Sequence, residues 1–520
     1  FLIWQEHTTL YHVQLQAFLM KYLFYIAPPF ASFAGDIMRE LARKDTSAEF
    51  YAISAYGKRE VQVLESRLGR PLDGWSEAMS KQQEWIKTPA TDNDHTAFLA
   101  RYGQEVFTRT LIADRFIAKG YVSGGTVKPH PEIDGALKNE KFGATNYVIG
   151  LYRFVDEIMD EVQPDLVFSY VVANSIAFSM AKSAEAHGVR FAQIKPARIG
   201  QRYIIDTSVK DSFSLVHSHI ENLRTTDLKN EIFDQACEWL NDFREKKLQP
   251  EYHVENTRRM LSRKSWKVYA EAAFQIVNHG FRYALDRYEG RRKKIARALM
   301  RIRIEHRYKH DMRKYLGGTL PGAPFVYYPL HVDPEASTMV LAPYHTDQLS
   351  VIEGLSKALP PGELLVVKEH LPMVGRRPAG FYARISAMHN VVLLGPLCNG
   401  VEVLKRSNSV VVITGTAGWE GLCLGIPVLV IGDAPYTLIG EGLCVEQNLA
   451  ELSTALTCAR CQQPASDEAL VRYIQAIFDH SFEMPAKTIF GGYSEVPPEV
   501  TGQASADIAT HIEKLLGVER

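Results

Sequence analysis

Three short stretches in the second half of the chain place acids, bases and hydroxyls directly behind apolar runs. "LHVDPEAST" (330–338) supplies His331, Glu335 and Ser337 after "PFVYYP". "KEHLP" (368–372) supplies Lys368, Glu369 and His370 after "ELLVV". "TGTAGWE" (414–420) supplies Thr414, Gly415, Thr416, Ala417 and Gly418 after "SVVVI", with Glu420 one turn further on. Backbone N–H groups and the dipole at a helix N-terminus hold anions, so the last stretch reads as a phosphate turn or, equally, as plain capping and tight packing. It is not a Walker A loop, because the Lys-Ser/Thr ending is missing. Lys368 and His370 could neutralise a phosphate and protonate a leaving group, or lie in a solvated loop. Glu335 could serve as a carboxylate base or nucleophile; in the alternative, "DP" is a turn and Glu335 or Ser337 caps the next helix.

The elements that must position these residues alternate. From 325 onward "PFVYYPLH", "ELLVVKEH", "VVLLG", "SVVVITG" and "PVLVIGD" read as strands, and "DQLSVIEGLSKAL", "GVEVLKRS" and "GWEGLCLG" as helices between them. That rhythm is a doubly wound parallel sheet, whose ligands bind at the carboxyl ends of the strands. All three polar stretches fall on that one rim, which favours the phosphate reading of the turn.

An earlier region repeats the pattern. "KYLFYIAPPF" is a strand closed by Pro28-Pro29, "ASFAGDIMRELARK" a helix, and "DLVFS" (165–169), "NSIAFSMAKSAE" and "FAQI" a strand, helix and strand. "KPARIGQR" then brings Arg198 and Arg202 to the presumed cleft, as an anion or acceptor side or as a surface basic loop. Pro29 marks the first strand end, where an acceptor would enter. The expected division is an extension at 1–20, a first Rossmann-like domain at 21–219, a helical basic connector at 220–320, a second Rossmann-like domain at 321–480, and a tail at 481–520 whose helix packs back on the first domain. Two such domains facing a cleft suggest, by fold analogy, a GT-B-like α/β architecture.

Composition bounds the rest. The 520 residues are 46% hydrophobic and 23% charged with a formal net charge of -1, which excludes global attraction to nucleic acid or an anionic membrane, so any basic partner site must be local. No apolar run approaches the roughly 20 residues a membrane helix needs, and residues 1–20 do not read as a signal peptide. The chain is therefore expected in the cytoplasm. The basic helices at 281–315 read as a peripheral contact with the inner membrane, or as a solvated face or interdomain brace. Six cysteines form no disulfide framework, and the lone CxxC at Cys458 and Cys461 lacks the further ligands a zinc site requires, so two reduced thiols are expected.

"FVYYPLHVDPEASTMVLAP", "LLVVKEHLPMVG" and "VVVITGTAGWEGLCLGIPVLVIGDAPY" resemble the capsule polysaccharide biosynthesis family, which includes the bacterial β-Kdo transferases. The resemblance spans residues 322–440 and reaches the first domain only at "PDLVFSYVVANSIAFSMAKSAEAHGV" and "KPARIGQR". It implies a GT-B fold, a nucleotide-sugar donor (CMP-Kdo in the Kdo-transferring members), no cofactor and no essential metal. Carried over, His370 matches a histidine on the donor phosphate, Thr414, Gly415 and Thr416 match the phosphate turn, and Glu335 matches a catalytic carboxylate. Two departures stand out: His370-Leu371-Pro372 interrupts the family's His-Pro pair, and His331 to Ser337 reads HVDPEAS where Kdo-type members tend to read Gln-Val-acid-Asp-Asp-Ala-Ser.

The expectation is a metal-independent glycosyltransferase. It would move a sugar from a nucleotide sugar, such as a CMP-sugar, to a growing surface polysaccharide or its lipid-linked acceptor. Glu335 and His370 would be catalytic. His331, Ser337, Lys368, Glu369, Glu420 and the 414–418 turn would bind donor, with Glu420 meeting its ribose or sugar. Two alternatives stand beside it: a sugar-nucleotide epimerase of related fold, and a non-catalytic assembly or export partner.

Overall fold

The computed structural model describes residues 19–114, 142–210, 213–223, 231–246, 265–285, 289–490 and 492–517. The extension assigned to residues 1–20 lies outside these apart from its last two positions, as do residues 286–288 of the basic stretch. Among the described residues thirteen strands form two sheets. They are β1 Lys21–Ile26, β2 Glu49–Ser54, β3 Gly74–Glu77, β4 Leu166–Ser169, β5 Arg190–Pro196, β6 Arg202–Asp206, β7 Phe325–Pro329, β8 Leu364–Lys368, β9 Val391–Leu394, β10 Ser409–Val412, β11 Val428–Val430, β12 Leu443–Val445 and β13 Ser481–Glu483.

The first sheet runs β13-β6-β5-β4-β1-β2-β3 and the second β12-β11-β10-β7-β8-β9. In each, the first strand pairs in parallel with both the second and the fourth. That is the doubly wound order 3-2-1-4-5-6, with a topological switch point beside the central strand. The central strands are apolar on both faces because helices cover both: all five residues of β7 are buried.

The first sheet departs from an all-parallel reading at its edge. "KPARIGQR" is the tip of a hairpin, with β5 antiparallel to β6 and Ala197 N–H bonded to the Arg202 carbonyl at 2.9 Å. Arg198 and Gly200 both take the left-handed backbone region (φ 64° and 55°) to close it. Then β13 returns from the far end of the chain to pair antiparallel with β6. The Pro498–Leu516 helix lies on the Ala31–Lys44 helix, with Lys44 Nζ 2.6 Å from Glu513 and Arg190 donating to the Leu516 carbonyl at 2.9 Å.

Alternate residues of the second sheet serve two cores. Val326, Tyr328, Val367 and Val411 face one layer of helices, and Phe325, Tyr327, Val366 and Val410 face the other. The second layer includes the helices Ser214–Leu223 and Glu231–Lys246, tied down by stacking of Trp239 on Trp419 and by a bidentate pair between Arg244 and Asp467. The helices Ser265–Leu285 and Glu289–Lys314 form an antiparallel pair. The second of them crosses the second domain so closely at Gly375 that a Cβ there would sit 2.6 Å from the Ile304 carbonyl oxygen.

One expectation is overturned. Cys458 is not a reduced thiol of a CxxC pair but is bonded to Cys444, with Cα atoms 6.5 Å apart. The edge strand β12 lies along the Leu452–Cys461 helix and brings the two together, while Cys461 stays free and exposed.

Candidate donor site at the second switch point

The loops after β7 and β10 leave the rim on either side of the switch point, and a hydrogen bond joins them. The Thr414 N–H donates to His331 Nε2 at 3.2 Å. Nε2 is therefore the lone-pair nitrogen, and geometry assigns the proton to Nδ1. Burial, with Arg198 and Arg377 nearby, pushes the His331 pKa down to about 3, so the ring is neutral at physiological pH. Nδ1–H is buried and has no hydrogen-bond partner among the described residues. A buried donor left unpaired is costly, and such groups in native proteins are nearly always met by something.

His331 is held from behind. Its backbone N–H donates to Gln348 Oε1 at 2.7 Å, and its carbonyl accepts from Gln348 Nε2 at 3.2 Å and Arg377 Nη2 at 2.8 Å. Arg377 in turn grips Glu369 with two bonds of 2.8 Å, and Tyr382 Oη donates to the same carboxylate at 2.8 Å. Both members of the Arg377–Glu369 pair are buried. Glu369, expected to bind donor, is thus committed to this network and positions the rim from below.

Beside His331 the Thr416–Cys423 helix begins, with Gly415 at its N-cap. The N–H groups of Thr416 and Ala417 open that helix, with no earlier turn to accept from them. Thr414 does not present its hydroxyl to this opening. Its Oγ1 donates to the Ser337 carbonyl at 3.3 Å and its own carbonyl accepts from Arg198 Nη1. Nor is Gly418 required for approach of a phosphate. A Cβ there would come within 2.4 Å of the Tyr436 hydroxyl, which bonds the Gly415 carbonyl at 2.7 Å. That glycine seats the helix on the sheet, whereas Gly415 keeps space open against His331, whose Nε2 lies 3.1 Å from where a Cβ would be.

On the same side of the sheet Lys368 and Glu420 face each other. Burial pushes the Glu420 carboxyl up to about 7, with the Lys368 ammonium pulling the other way. Burial likewise lowers Lys368, opposed by Cys398, Glu369 and Glu420. Among the described residues neither closes an ion pair. Glu335 is exposed at the N-cap of the Ala336–Met339 turn, after the cis Asp333–Pro334 bond, and His370 is half-buried at the end of β8.

The first domain reaches this rim through two arginines: Arg198 at Thr414, and Arg109, which donates to the Val340 carbonyl at 3.1 Å. Arg202 does not join them. It pairs with Glu483 at 3.1 Å, bonds Ser481 Oγ at 3.2 Å and stacks on Phe478, so it fastens β13 to the sheet. Pro29 is exposed in the turn after β1. Among the described residues no group of three or more His, Cys, Asp and Glu is placed to hold a metal ion.

Residues 255–477 match the family model described as "Capsule polysaccharide biosynthesis protein". This part of the chain is similar to the capsule polysaccharide biosynthesis family. Every residue of the switch-point network except Arg109 and Arg198 lies within the matched segment. No curated protein matches the chain. Among solved structures it is similar to the β-Kdo 2,7 transferase of Thermosulfurimonas dismutans KpsC, at 11% identity over 70% of this chain and 89% of that one, TM-score 0.34. The β-Kdo 2,4 transferase of the same protein matches at 14% identity over 60% and 79%, TM-score 0.31. A UDP-GlcNAc 2-epimerase from Neisseria meningitidis, bound to UDP-GlcNAc, matches at 14% over 96% and 100%, TM-score 0.26. At such scores no residue of this chain is equated with one of theirs.

Arg377, Gln348, Tyr382 and Tyr436 went unnoticed in the sequence. "GRRPAG" and "DQLS" carry no motif, and the only available signal was that a Glu ending a buried strand needs a cation.

Proposed function

We propose that the protein is a glycosyltransferase of surface-polysaccharide assembly that binds the phosphate of a nucleotide sugar at the switch point of its second sheet. The observation that carries this reading is the opening of the Thr416–Cys423 helix against the neutral His331 ring, whose buried Nδ1–H has no partner among the described residues. The opening N–H groups of Thr416 and Ala417, with the helix dipole, would favour negative charge there. Lys368 adds a cation on the same side of the sheet, and Glu420 meets the ribose or sugar hydroxyls. His331 donates without carrying charge, so its contribution does not vary across physiological pH.

Glu335, exposed on the rim, is the catalytic carboxylate, and His370 at the neighbouring strand end is the acid toward the leaving phosphate. The transfer needs no metal, because these donors and Lys368 take the charge that develops on the leaving group. The acceptor, a saccharide or lipid-linked saccharide, enters from the first domain between the turn at Pro29 and the hairpin tip at Arg198. Work at the cytoplasmic face of the inner membrane fits such an acceptor. The donor is a CMP- or other nucleotide sugar.

The test is turnover of nucleotide sugars by the unaltered protein and by Glu335→Gln. Turnover in the variant should fall at least about 100-fold with nucleotide affinity retained. Equal turnover in the two would remove Glu335 from the mechanism. An epimerised nucleotide sugar formed without acceptor would replace transfer by epimerisation.

A further inference from the structure

The Ser265–Leu285 helix has two apolar faces. One, through Val268 and Ala272, is buried against the Glu289–Lys314 helix. The other carries Trp266, Ala270, Ala273, Phe274, Val277 and Phe281, which fall within about 100° of arc at helical spacing. All six are exposed, the four large ones strongly so: Trp266 64%, Phe274 65%, Val277 71% and Phe281 69%. Four large apolar side chains on one continuous stripe are unlike the scattered surface residues that need no explanation.

The surroundings of the stripe are cationic. Lys267 and Arg282 are exposed on its flank, Lys267 Nζ lies 6.0 Å from the Trp266 ring, and Lys309 reaches from the next helix to 5.0 Å above Tyr269. The acid on this helix, Glu271, is held by Arg301 at 2.9 Å. From Ser265 to Lys314 the sequence has fourteen Lys and Arg against five Asp and Glu, a balance of +9 in a chain whose total is -1. No helix among the described residues is long and apolar enough to cross a membrane, and this one is packed along one side, so it can only lie flat.

We propose that the exposed face of the Ser265–Leu285 helix docks in the interface of an anionic lipid bilayer. Trp266, Phe274, Val277 and Phe281 enter the acyl boundary, and the basic side chains of the helix pair meet lipid phosphates. Apolar burial and attraction to anionic headgroups add in such interfacial helices, and long cationic side chains reach up to the headgroups from beside an apolar face. The apolar stripe therefore anchors and the basic helix orients, which goes beyond a contact made by charge alone. The assignment does not depend on the donor site.

Flotation of the full chain with phosphatidylglycerol/phosphatidylcholine vesicles and with pure phosphatidylcholine vesicles tests it. The unaltered protein should float with the anionic vesicles, and Phe274→Ser/Val277→Ser/Phe281→Ser should bind them at least about tenfold more weakly. These positions are exposed, so the thermal midpoint and nucleotide affinity of the variant should match the unaltered protein. Arg297→Glu/Arg303→Glu should weaken binding to anionic vesicles and flatten its loss with salt, because fewer cationic contacts remain to be screened. Equal flotation of the triple variant, or no flotation of the unaltered protein, would overturn the proposal. So would a dimer of the unaltered protein that the triple variant breaks in sedimentation velocity, which would give the stripe to a second copy. None of these failures touches nucleotide binding.

Discussion

Lys368 and Glu369 are neighbours at the end of one strand and do opposite things. Successive residues of a strand point to opposite faces of its sheet, so Glu369 enters the layer with Val367 and Tyr382 while Lys368 enters the layer with Val366 and Tyr327. On the first face the Glu369 charge is matched, because Arg377 and Tyr382 occupy both carboxylate oxygens. On the second face Lys368 and Glu420 influence each other without closing a pair, and burial pushes both toward their neutral forms. The first cluster holds the rim in shape. The second, where Lys368 and Glu420 close no ion pair among the described residues, is where the proposed nucleotide site lies.

The largest expected effect breaks the matched face. Arg377→Met leaves Glu369 buried without its cation and also removes a bond to the His331 carbonyl. Losing one partner of a buried ion pair costs about 3–5 kcal/mol, which lowers the thermal midpoint by roughly 10 °C in a domain of this size. A midpoint within a degree or two of the unaltered protein would show that the network does not hold the rim.

A smaller effect separates the open face by pH. Glu420 has its folded-state pKa raised from 4.5 to about 7. A raised carboxyl pKa means the folded state binds the proton more tightly. The corresponding stability is complete below about pH 4.5 and is lost as pH rises through about 7. Thermal midpoints measured from pH 5 to 8 should therefore decline more in the unaltered protein than in Glu420→Gln. Parallel curves would mean that Glu420 is not in the buried environment that distinguishes this face.

The rhythm of the second domain was readable because apolar runs alternate with helical spacing and stop at Pro and Gly, as at Pro360-Pro361-Gly362. The shared rim of the three polar stretches followed from parallel strands alone. What did not follow was the face each residue takes, since a shift of one residue in register exchanges the faces. Glu369 and Thr414 looked like ligands because their partners are remote: Arg377 lies past a loop, and Ser337 and Arg198 belong to other strand ends. The same remoteness hid the hairpin at 197–201, whose return strand pairs with residues 481–483, and the Cys444–Cys458 bond, whose spacing resembles no motif. The exposed stripe of the Ser265–Leu285 helix was missed for a different reason. Its buried and exposed faces are both apolar, so its pattern does not show which side has a partner.

The claim that the open face is a nucleotide site is tested most directly by calorimetric titration with CMP, UDP and GDP. The unaltered protein and Lys368→Met would be compared after both are shown to have the same thermal midpoint. One nucleotide should bind the unaltered protein, and Lys368→Met should bind it at least about tenfold more weakly, the loss of roughly 1.4 kcal/mol or more. Absence of binding by all three nucleotides to the folded protein, or identical affinity in the variant, would contradict the account.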